Sequence, residues 1–291
     1  MKHNIISILL VAMLGTGLQA CSDEDTAPLT NPADGRMKME FSFSHPTGTR
    51  VTETAFENGD QVGLFVTQSD APLEIGGNTV NNECMAFNGS AWNAARNLYW
   101  DNGEYNAYAY FPYLNRVSST TDLPFSVALD QSIPEEAIAS DFLYASSKGI
   151  TASSNPVNMS FRHILSKLTI RLIKGEDFEG DLPDKATVLL HNTVTSSTID
   201  LSAGIATKDS KGLKNSIKAR QVSQNTFTAI AIPQRLDNRV PLVEVIMNGV
   251  SFLYESKFQF KPGTNHLVSL VIDKNPDQVK IEIGGEITDW N

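Results

Sequence analysis

Short stretches that alternate apolar with polar residues, each closed by turn-forming pairs, recur along most of this chain and leave little room for any class but all-β. Leu168, Ile170 and Leu172 alternate with Lys167, Thr169 and Arg171, the period of two expected when one face of a strand is buried. Further strands are read at 186–190, 197–201, 226–232, 242–247, 252–258, 266–272 and 279–283, with Asn248-Gly249 as a hairpin turn between two of them. Only Pro134-Glu135-Glu136-Ala137-Ile138-Ala139 reads as a helical turn, with proline and two acids at its start. Many short strands with almost no helical periodicity predict two β-sandwich domains, and the acidic loop at 175–184 is taken as their boundary. The expected division is 1–20 signal peptide, 21–36 acidic flexible linker, 37–178 first sandwich and 179–291 second sandwich.

The stretch 37–50, MKMEFSFSHPTGTR, has a pattern with functional consequences. Met37, Met39, Phe41 and Phe43 fall on one side of an extended chain, and Lys38, Glu40, Ser42 and Ser44 on the other. Pro46 and Gly48 end the strand, since proline cannot donate to a ladder and glycine admits turn angles. Arg50 follows directly, so an arginine-specific protease acting there would sever the strand from the rest of the chain. The alternative is an ordinary edge strand followed by an uncut surface arginine.

Ahead of this stretch, Lys2 and His3 lead into an uncharged run at 5–18 that ends in Leu18-Gln19-Ala20-Cys21. That run falls short of the roughly 20 residues that span a bilayer and reads as an export signal cleaved between Ala20 and Cys21. Leu-Gln-Ala-Cys resembles a bacterial lipobox, which makes Cys21 the lipid-carrying first residue of the mature chain, held at the outer membrane. The acids of Ser22-Asp23-Glu24-Asp25 and the prolines of 26–35 suit a solvated tether. They also resemble the signal that sends Bacteroidetes lipoproteins to the cell surface.

Charge excludes one class of partner. Lysine and arginine number 23 against 33 aspartate and glutamate; without residues 1–20, which carry only Lys2, the balance is 22 to 33, a net charge of −11. No basic surface for nucleic acid is visible. With Cys21 lipidated, Cys84 has no cysteine partner and is read as a small buried residue.

No catalytic set, metal or cofactor is expected. Gly59 and Gly63 border a strand, whereas phosphate cradles open a helix. The acids of 175–184 lack the spacing of a calcium loop. His163 and Ser166 have no base and orienting acid placed with them, and neither HExxH nor G-x-S-x-G occurs. Tyr105-Asn106-Ala107-Tyr108-Ala109-Tyr110-Phe111 carries apolar groups on both faces, as a central strand does. Aromatic rings also stack on sugars, so Trp92, Trp100, Tyr108 and Tyr110 define an alternative: a non-polymerising outer-membrane lipoprotein that binds glycans.

Several pieces in order resemble the fimbrillin-like family of Bacteroidetes surface lipoproteins: Thr49-Arg50-Val51 before Gly59-Asp60-Gln61-Val62-Gly63; Tyr108-Ala109-Tyr110-Phe111-Pro112-Tyr113; Phe161-Arg162-His163 leading to Lys167-Leu168-Thr169; Pro262-Gly263; and the ending from Ile287 to Trp290. The resemblance implies two transthyretin-like Greek-key sandwiches in tandem and a structural subunit of a pilus. It implies assembly by strand exchange: cleavage after Arg50, departure of the first strand, and entry of a strand from the next subunit. Val279, Ile281, Ile283 and Ile287 are the candidate donor residues. The partners implied are other pilus subunits and host or bacterial surface ligands. The short tail beyond the last strand departs from the family pattern, and anchor or tip subunits of such pili lack a usable donor or escape cleavage.

Overall fold

The computed structural model describes residues 35–46, 55–275, 280–282 and 287–290. Along the chain these form β1 (Phe41–Ser44), β2 (Gln61–Gln68), β3 (Val80–Phe87), β4 (Trp92–Ala94), β5 (Glu104–Phe111), β6 (Leu123–Ser126), α1 (Pro134–Ala139), β7 (Leu143–Thr151), β8 (Val157–Ser160), β9 (Arg162–His163) and β10 (Ser166–Lys174). The second half holds β11 (Thr187–Val194), β12 (Ser196–Asp200), β13 (Ile205–Lys208), β14 (Lys214–Lys218), β15 (Arg220–Ser223), β16 (Thr226–Ala231), β17 (Gln234–Met247), β18 (Val250–Phe260), β19 (Thr264–Ile272), β20 (Lys280–Glu282) and β21 (Ile287–Asp289). The chain is all-β in class. Among the described residues no helix is long and apolar enough to cross a membrane.

The first half is built on a sheet ordered β4-β3-β2-β5-β7-β9. Its central strand β5 is buried from Tyr105 to Tyr110, and alternation sends the two sides to different cores. Tyr105, Ala107 and Ala109 join a core with Met39, Phe41, Phe43, Val62 and Leu64, while Tyr108 and Tyr110 join the larger core with Phe142 and Leu168. Gly63 on β2 makes this possible, because a Cβ there would lie 2.2 Å from the Tyr110 ring. The Tyr110 hydroxyl donates to Asn82 Oδ1 at 2.6 Å, and burial holds the phenol well above its ordinary pKa.

In the second half, the sheet β14-β11-β17-β18 faces the sheet β15-β16-β10-β19-β20, with β21 also paired to β19. Val188, Leu190, Val243 and Val245 on one side meet Leu168, Ile170, Phe227 and Leu270 on the other within one continuous core, the arrangement of a sandwich. Asn248 (φ 49°) and Gly249 (φ 79°) close the β17–β18 hairpin with both residues left-handed, as a two-residue turn of the primed type requires.

The expected boundary at 178/179 does not follow the pairing. β10 lies before it, yet pairs antiparallel with β16 and parallel with β19, and so belongs to the second sandwich. β6 of the first half pairs with β12 of the second. The change of partners falls between His163, on β9 of the first sheet, and Ser166.

Candidate functional site: the seat of the first strand

The run from Met37 to Ser44 is held by two different partners on its two edges. Backbone groups of successive residues in an extended chain point to opposite edges. The Met39 amide donates to Leu98 O and the Trp100 amide to Met37 O, each at 2.8 Å, around a Lys38–Tyr99 bridge. From Phe41 onward the opposite edge takes over and β1 runs parallel to β8, with Phe41 beside Val157 and Ser44 beside Ser160. Two further bonds frame this ladder: the Val157 amide to Glu40 O at 2.8 Å and the Phe161 amide to Ser44 O at 3.0 Å. Among the described strands, β1 pairs with β8 alone. On its other side lies a groove of about 660 Å³, lined by Phe41, Phe43, Met85, Phe87, Trp92 and Leu98 and rimmed by Lys38 and Arg96.

Side chains fix the seat more than hydrogen bonds do. Met39, Phe41 and Phe43 are 4%, 5% and 6% exposed, and together they supply about 5–9 kcal/mol of hydrophobic driving force, an upper bound. Phe43 meets the Trp92 ring edge-on at 5.0 Å and Phe161 at 5.7 Å, and Phe41 stacks beside it at 6.1 Å. The expected inward face is therefore present from Met39 to Phe43. Met37, expected on it, is 42% exposed; it lies ahead of the β1–β8 ladder and is held there through its carbonyl by the Trp100 amide.

Beyond β1, His45 packs on Phe56 at 5.1 Å and approaches the His163 ring at 6.1 Å. His163 is buried, donates through Nδ1 to Asp141 Oδ1 at 2.9 Å, and stacks on Trp290 at 3.8 Å with the planes 8° apart. The Trp290 amide donates to Gly263 O at 2.8 Å, and the Lys167 ammonium sits 5.4 Å from its ring. His163 thus touches both the exit of β1 and the last described residue. Sequence reasoning singled out His163 but missed Asp141 and Trp290 as its partners, which come from separate elements and share no local pattern. Ser166, weighed beside it, is buried with no hydrogen-bond partner for its hydroxyl among the described residues.

Other expected residues are placed as follows. Trp100, Tyr108 and Tyr110 are 3%, 7% and 1% exposed, so these three rings fill cores and offer no face to a sugar; Trp92 is half-buried at the groove. Ile281 and Ile287 lie on β20 and β21, which pair antiparallel with successive parts of β19. Ala20, Cys21, Arg50, Val279 and Ile283 lie outside the described residues. Cys84 is a free, half-buried cysteine rather than a buried one, its thiol pushed up by partial burial and by the Glu83 charge.

Among the described residues the lining of the groove includes Glu40, Ser42 and Ser90 but no histidine or cysteine. Among the described residues no group of three or more His, Cys, Asp or Glu side chains is placed to hold a metal ion. His191 bonds Ser216 Oγ through Nδ1 at 2.6 Å and Glu244 through Nε2 at 2.9 Å. These residues are rungs of neighbouring strands β14, β11 and β17. Ser251 on β18 extends the line and, ahead of His191, lowers the Glu244 carboxyl below its ordinary value. What the seat can do is hold an extended segment by its backbone and by alternate apolar side chains.

Comparison with known proteins agrees with this architecture. A Bacteroides uniformis protein named as a fimbrium subunit, Fim1C, is 24% identical over 297 residues, covering 97% of this chain and 94% of that protein. A Bacteroides ovatus protein named as a fimbrium tip subunit, Fim1C, is 25% identical over 192 residues; the match spans 59% of this chain but 35% of the relative's length. Among solved structures, a Bacteroides uniformis protein described as a cell adhesion protein superposes with a TM-score of 0.70 at 21% identity, over 89% of this chain and all of that one. The family model described as Fimbrillin-like matches residues 49–290, and the chain belongs to that family.

Proposed function

We propose that the chain is a lipid-anchored surface subunit of a fimbria that takes part in adhesion and joins its neighbours by exchange of the first strand. The single observation that carries this reading is the seat of β1: a four-residue strand with one paired strand, its apolar side chains in a trough and a groove along its other side. Removing such a strand exposes unpaired backbone groups and a dry apolar channel. A strand from another subunit replaces both, as in β-strand addition elsewhere. Lipid on Cys21 tethers the subunit to the outer membrane until cleavage after Arg50 releases β1 together with the anchor, and the segment 279–290 is the donor offered to the next subunit. Donation requires β20 and β21 to leave β19 and Trp290 to leave His163. The fimbrium-subunit names of the relatives support the assembly role.

The test is limited digestion of the purified protein with a trypsin-like protease, followed by gel analysis without boiling. The expected result is one early cut at Arg50, then ladders of subunits, with Arg50→Ala assembling less. Cleavage without ladders, or ladders undiminished in Arg50→Ala, removes this mechanism.

A further inference from the structure

We propose that the edge of β18 is a self-complementary surface through which two copies of this chain pair side by side, antiparallel, about a two-fold axis at Ser256. β18 is 11 residues long and ends its sheet, pairing among the described strands with β17 alone. Such an edge is a template for another strand. Bulges commonly spoil edges of this kind, but both register shifts of the β17–β18 ladder place their extra residues on β17: Leu236 and Val240 oppose Phe258 and Ser256, and Pro241 and Val243 oppose Glu255 and Tyr254. β18 itself runs without an insertion.

The order of its residues names the partner. In antiparallel pairing centred on Ser256, Glu255 of each copy faces Lys257 of the other on the solvent side. Tyr254 faces Phe258 on the inner side, where both rings are only partly covered. Opposite charges and aromatic pairs directly across a seam each favour pairing. Moving the axis by one residue, to Glu255 or to Lys257, sets two like charges against each other, so the charges admit this register and reject its neighbours. The contact is isologous and closes after two copies. It joins two β14-β11-β17-β18 sheets into one, on a surface separate from β1, and does not depend on strand exchange.

Charge reversal tests it. The full chain, kept in mild detergent and reducing agent, is followed by light scattering with E255K, K257E, their equimolar mixture and the double variant E255K/K257E. The wild type is expected to dimerise. Each single variant places like charges at both rungs and associates about tenfold more weakly. The mixture restores pairing, because the E255K copy carries lysine at both positions and the K257E copy glutamate at both, so unlike charges meet at each rung. The double variant recovers pairing alone. E255K also loses a 3.5 Å contact with Arg239 that K257E keeps, so equal effects of the two assign the loss to the seam. A monomeric wild type, single variants that pair as the wild type does, or a mixture that fails to recover would each overturn the proposal.

Discussion

Replacing Phe43 by alanine tests whether the first strand opens on its own. Phe43 is 6% exposed and is enclosed by Phe41, Trp92 and Phe161. Truncating a buried phenylalanine costs about 3–5 kcal/mol, and the lower end applies here because half-buried Trp92 and the adjoining groove let the site relax. If β1 detaches locally, about 3 kcal/mol raises its open population roughly a hundredfold, at about 1.4 kcal/mol per factor of ten. Native-state hydrogen exchange reads this directly. The Val157 and Phe161 amides, which donate to Glu40 O and Ser44 O, are the reporters. The Leu172 and Ala219 amides, bonded to Asn225 O and Val188 O in the second sandwich, are the references. The expected outcome is about hundredfold faster exchange at the two reporters with the references unchanged. Equal acceleration at all four would show that β1 leaves only when the whole chain unfolds, and the removable-strand reasoning would fail.

Gly63→Ala drives a methyl group into the Tyr110 ring, which its bond to Asn82 prevents from swinging away; a loss of about 1–3 kcal/mol is expected in denaturant unfolding, partly relieved by Tyr110→Leu. Gln131→Met keeps the volume of a residue 1% exposed but strips the Ile230 amide and carbonyl of their 2.7 and 2.8 Å bonds, and the unfolding midpoint should fall by the equivalent of about 2–4 kcal/mol. Burial and then Lys261 lower the His266 pKa from 6.5, and the neutral ring accepts the Lys261 amide at Nε2. Below pH 6.5 the unfolded chain binds this proton more readily, so stability falls with falling pH until the lowered folded value is passed; His266→Gln should flatten that part of a pH series of unfolding curves.

Local pattern carried the strands whose faces differ and lost what depends on distant partners. The alternation of β10 and the Asn248-Gly249 turn are readable because each follows from neighbouring residues alone. Which sheet receives β10 is set by Thr264 to Ile272, nearly a hundred residues on, and no local period encodes a parallel partner at that range. The same limit hid β8 as the partner of β1: its four residues, with Val157 and Met159 inward, give too short an alternation to stand out. The aromatic stretch of β5 was legible as a central strand. The pattern gave no way to tell a ring that fills a core from one that faces a sugar, so Trp100, Tyr108 and Tyr110 were separated from Trp92 only by their burial.

The side-by-side ladder of β1 and β8 governs how the seat answers force. The two strands are paired at four successive positions, so tension drawn along β1 loads every rung together, whereas lifting one end meets the rungs singly. The seat is strong against drag and weak against peeling. In the proposed exchange, an incoming strand that works inward from one end therefore meets a lower barrier than lengthwise extraction does.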